Sequence, residues 1–84
     1  MNISSEGQDI TRRFFEALQM LKERKVIRGV HTFTKDNGID YRNFVAVRKE
    51  PNIRVLKPEW IFYLSKYHIS PDWIITGRGG AFLM

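Results

Sequence analysis

Ten basic side chains fall between Lys22 and Lys57: Lys22, Arg24, Lys25, Arg28, Lys35, Arg42, Arg48, Lys49, Arg54 and Lys57. Four acids share the stretch (Glu23, Asp36, Asp40 and Glu50), so it holds a charge of +6 where the whole chain is +5 and the remainder sums to −1. Cations gathered in one part of a small chain suit a polyanion, because Lys and Arg gain affinity by displacing the counterions condensed on phosphates. The same charges also suit an ordinary solvated surface.

Residues that could carry catalysis are sparse. The chain has no cysteine, which removes disulfides, thiolate metal sites and cysteine nucleophiles, and a reducing cytoplasm is the default location. His31 and His68 lie far apart with no carboxylate at metal-ligand spacing, and each reads as a surface or cap residue. The acids are scattered singly, so no carboxylate pair stands out along the chain. Gly77-Arg78-Gly79-Gly80 lacks the lysine and the following helix of a phosphate loop, and helix termination explains it better. A binding protein is expected, not an enzyme, with no metal, cofactor or small-molecule substrate.

The 84 residues make one domain, and a 43% hydrophobic content rich in aromatics is enough for a core without staples. Residues 1–8 are polar and acidic and are expected to be a flexible N-terminus, neither secretory signal nor anchor; residues 78–84 are expected to be a C-terminal tail. No apolar run is long enough to span a bilayer. Between them the pattern is helical. Ile10, Phe14, Ala17, Leu18 and Leu21 mark the first apolar face, with Asp9 as its N-cap. A short second helix from Val30 to Asn37 turns Val30, Phe33 and Thr34 inward, and Gly38 stops it in a left-handed conformation. Asp40 caps a third helix, Tyr41 to Lys49, whose Phe44 and Val47 form a stripe with Ile39, and Pro51 and Asn52 end it. The loop that follows is expected to pin Val55 and Leu56 to the core. Pro58 opens a fourth helix with Trp60 or Ile61, Leu64 and Tyr67 inward, and Ser70-Pro71-Asp72 opens a fifth around Trp73 to Ile75. An all-α bundle of five short helices is the expected fold, although β-formers in Val45 to Arg48 and Trp60 to Tyr63 compete locally.

Tyr67-His68-Ile69-Ser70-Pro71-Asp72-Trp73-Ile74-Ile75-Thr76-Gly77, following the Gly38-Ile39 turn, resembles the closing segment of the lambda-repressor-like helix-turn-helix domains of the XRE family. The likeness is to the phage-type repressors of Bacteroides-like bacteria in particular, and it covers about Arg13 to Gly80. In that family the tryptophan of the segment seals the bottom of the bundle. Three residues depart from the pattern: Thr34 where the family has a closely packed alanine, Val45 at a position often held by serine, and Arg78 for an acid.

The resemblance implies sequence-specific binding of double-stranded DNA by a transcriptional regulator, most simply a repressor, with the third helix in the major groove and the second across the backbone. Base contacts then fall to Tyr41, Arg42, Asn43, Val45 and Ala46. Arg42 suits guanine, Asn43 suits adenine, and Val45 or Ala46 suits a thymine methyl. Phosphate contacts fall to His31 and Thr32 at the start of the second helix and to Arg48, Lys49, Arg54 and Lys57 around the end of the third and the loop that follows. Arg42 and Asn43 also fit a solvated helix face, Asn43 fits a support for the Asp40 cap, and each cation fits a solvated charge.

One copy reads only a few base pairs, so a homodimer on a palindromic operator is expected, joined through Phe62 and Tyr63 or through Phe82, Leu83 and Met84. The same apolar residues carry the alternative: a protein-interaction module, antitoxin-like or a regulatory partner, that keeps the repressor fold.

Overall fold

In the computed structural model, which describes residues 2–83, the first helix starts where a hydroxyl can cap it. Ser4 Oγ accepts the Gly7 amide at 3.1 Å, and α1 runs Ser5–Glu23. Asp9 is therefore inside the helix, not its cap, and its carboxylate faces Arg12 at 3.4 Å. This corrects the expected flexible segment 1–8: residues 5–8 are helical, Gln8 Nε2 donates to the Ile3 carbonyl at 2.9 Å, and the Ile3 amide donates to the Asn52 carbonyl at 2.7 Å. Met1 lies outside the described residues.

The remaining helices follow local signals. Helix α2 spans Val30–Asp36; Asn37 Nδ2 returns to the Phe33 carbonyl at 2.9 Å and Gly38 takes φ +64°, so the helix stops there. Asp40 Oδ1 accepts the Arg42 amide at 3.1 Å and starts α3, Tyr41–Lys49. Pro58 begins α4, Pro58–Ser65. Ser70 Oγ accepts the Trp73 amide at 3.2 Å and starts α5, Pro71–Thr76, which Gly77 ends at φ +76°. Among the described residues there is no strand, only an isolated antiparallel bridge between Ile69 and Phe82. Both segments rich in β-formers are helical, because Val47 and Trp60 find their burial on helix faces.

An aromatic cluster sits at the centre. Phe14, Phe33, Phe44 and Trp60 are buried, with the Phe14 ring 6.1 Å from Phe33, 5.9 Å from Phe44 and 6.3 Å from Trp60 between centroids. Phe44 also meets Phe15 at 5.3 Å and Trp60 at 4.9 Å, so α3 is held by one side chain enclosed by rings from α1, α2 and α4. A radius of gyration of 12.1 Å matches the value of about 12 Å for one compact chain of this length.

Helix α5 is clasped to α1. Arg13 donates Nε to the Ile74 carbonyl at 2.7 Å and Nη2 to the Ile75 carbonyl at 3.0 Å, satisfying carbonyls the helix end leaves free. Gly77 lies so close beneath that a Cβ there would sit 3.2 Å from Arg13 Nη1. Ile74 is fully buried, and Trp73, the residue the resemblance gives the sealing role, packs half-buried on the core. The C-terminal tail returns along residues 68–70: the Ser70 amide donates to Ala81 and the Leu83 amide to His68, both at 2.7 Å, and the Arg24 guanidinium lies 3.7 Å over the Phe82 ring.

One loop expectation fails. Leu56 packs half-buried on the core, but Val55 is 71% exposed. Val55 and Leu56 lie outside any helix, just ahead of the extended N-cap residue Lys57, and only Leu56 of the two packs on the core.

Candidate nucleic-acid interface

The connection between α2 and α3 is four residues, Asn37 to Asp40, fixed by the Ile39 amide donating to the Thr34 carbonyl at 2.9 Å. Thr34 is buried, and its hydroxyl donates to the His31 carbonyl at 3.0 Å, so the extra polar atom is satisfied within its own helix. The first turns of the two helices are brought together at the surface. The His31 and Tyr41 rings stack with centroids 4.3 Å apart and planes 21° apart. Both side chains are exposed, Tyr41 at 42%, and Thr32 beside them is half-buried. No side chain caps α2 at Gly29.

Burial divides α3 into two faces. Phe44 and Val47 point into the core, and Ile39 packs half-buried beside them. Arg42, Val45, Ala46 and Lys49 recur at steps of three, one and three residues and form the opposite stripe. Arg42 and Lys49 are exposed at its ends, with Val45 and Ala46 half-buried between them. Asn43 lies on the shoulder, half-buried; the cap bond from Asp40 runs to the Arg42 amide, so Asn43 is not what completes it.

The cations differ in what they already hold. Arg54 is exposed but paired with Glu50 at 3.3 Å. Arg48 is also exposed, yet it lines a groove of about 550 Å³ with Phe15, Gln19 and Pro51, toward α1. Lys57 is exposed at the start of α4. Among the described residues Arg42, Arg48, Lys49 and Lys57 have no acidic partner within ion-pair distance. The structure thus joins His31 to Tyr41 and sets Arg42, Val45, Ala46 and Lys49 on one stripe, while Arg54 and Lys57 belong to the α3–α4 connection.

An apolar surface was not anticipated from sequence. Ile3, Ile10, Val55, Leu56, Ile61 and Ile75 line a groove of about 320 Å³, with Val55 71% and Ile75 51% exposed. Its residues come from α1 and the residues just before it, the loop ahead of α4, α4 itself and α5, so no periodicity announces it. Of the side chains expected to join two copies, Phe62 is 63% exposed, with the Lys66 ammonium 5.8 Å from its ring, and Tyr63 is half-buried. Leu83 is exposed, Phe82 is half-buried beneath Arg24, and Met84 lies outside the described residues.

Among the described residues no three His, Asp or Glu side chains gather as a metal site, and no helix is long and apolar enough to cross a membrane. No family model, curated protein or solved structure matches this chain.

Proposed function

We propose that the chain is a sequence-specific binder of double-stranded DNA and a transcriptional regulator, most simply a repressor, built on a lambda-repressor-like helix-turn-helix. Helix α3 enters the major groove and α2 crosses the backbone. The observation that carries this reading is the outer stripe of α3: Arg42 and Lys49 exposed, without an acidic partner among the described residues, on a helix whose other face is locked by Phe44 and Val47. A rigid helix with uncommitted cations suits a groove lined by phosphates, and Arg42 in the first turn of α3 suits a guanine edge. Lys49, Lys57, Arg48 and His31 serve the backbone on either side, with Tyr41, stacked on His31, at the base edges. Specific recognition by so small a surface calls for two copies on a palindrome, acting in the cytoplasm without a cofactor.

Selection of duplexes from a random pool by the full chain tests this reading. Enrichment of a palindromic site supports it, and recovery of unenriched sequence contradicts it.

A second reading has its own observation. The groove of Ile3, Ile10, Val55, Leu56, Ile61 and Ile75 exposes apolar surface of the kind that marks a protein contact. A protein-interaction module would associate with its partner independently of salt, whereas DNA affinity falls steeply with salt.

A further inference from the structure

Between the two cations of the α3 stripe lies an apolar step. Val45 and Ala46 are half-buried, flanked by Arg42 one turn before and Lys49 one turn after. Their methyl groups neither donate nor accept hydrogen bonds, so in a groove they gain only against another apolar group. The major-groove edge of the bases offers one, the C5 methyl of a pyrimidine: thymine carries it always, cytosine only when methylated. Resting on the reading of α3 as the groove helix, we infer that Val45, supported by Ala46, reads a pyrimidine C5 methyl, so that 5-methylcytosine replaces thymine there and methylation of a cytosine at that position tightens binding.

Geometry limits where the methyl lies. Three residues of helix advance about 4.5 Å, and base pairs are about 3.4 Å apart. The methyl therefore sits one or two base pairs from the guanine that Arg42 addresses. A hydroxyl or amide at position 45 would bond base edges with or without a methyl; valine at that place makes the methyl the distinguishing feature.

The test uses the unmodified full chain. Duplexes selected from a random pool are resynthesised with deoxyuridine at each thymidine in turn. At the responsive thymine, cytosine and 5-methylcytosine duplexes are compared as well. One position per half-site is expected where uracil weakens binding roughly four-fold, the effect of one buried methyl. At that position 5-methylcytosine should exceed cytosine by a similar factor. Val45→Ser should lower affinity for the thymine duplex and bring the thymine-to-uracil ratio to about one. Equal binding of thymine and uracil duplexes at every position, or methyl discrimination that survives Val45→Ser, overturns the inference while leaving DNA recognition intact. If no duplex is selected, DNA recognition itself fails and the inference with it.

Discussion

Arg12 on α1 and Arg42 on α3 are both exposed arginines on an amphipathic helix, yet their surroundings are opposite. Arg12 is held by acids of its own helix, Glu16 at 3.0 Å and Asp9 at 3.4 Å, and hydrogen bonds first to Glu16 and then to Asp9 raise its pKa. Among the described residues Arg42 has no such neighbour: the acid beside it, Asp40, accepts a backbone amide instead. This face of α1 therefore neutralises itself, while the outer stripe of α3 leaves Arg42 and Lys49 without an acidic partner among the described residues. Charge count alone does not separate these cases. What separates them is whether an acid stands three or four residues away on the same face.

Three substitutions sharpen that contrast. The largest effect belongs to the anchor beneath α3: Phe44→Ala should cost about 3–5 kcal/mol of stability, read by denaturant unfolding, and DNA binding should be lost with the fold. Arg42→Ala should leave stability nearly unchanged and relax preference at one base pair by about 1–3 kcal/mol, read by repeating the duplex selection. Arg12→Ala should be the quietest, with DNA affinity and melting temperature close to the parent, because exposed pairs of this kind contribute little. An Arg12 variant that binds DNA as poorly as the Arg42 variant would erase the distinction between the two helices.

Much of the fold could be read before any coordinates because its signals are local. Asp40, Ser70, Pro58, Gly38 and Gly77 act within a turn of where they stand, and the structure places them at helix ends as expected. Phe14, Phe33, Phe44 and Leu64 were visible through spacing, since a helix repeats its buried face every three to four residues. Ser4 was missed because Ser5 to Gln8 carry no apolar rhythm to announce a helix. The Arg13 clasp on Ile74 and Ile75, the return of the tail to residues 68–70 and the groove around Val55 join parts of the chain distant in sequence. At the candidate site, the outer stripe of α3 follows from period alone. The stacking of His31 on Tyr41, the turn of Arg48 toward α1 and the capture of Arg54 by Glu50 depend on how helices pack and side chains pair.

The central claim of the proposed function is that the outer stripe of α3 meets DNA, with Arg42 on a base edge and Lys49 on phosphate. Affinity for duplex DNA measured across a salt series tests it most directly, with the Lys49→Ala variant alongside. The logarithm of the binding constant should fall linearly with the logarithm of salt concentration, and the variant should bind all sequences more weakly with a slope shallower by about 0.9. Affinity that ignores salt, or a slope unchanged in the variant, would contradict the account.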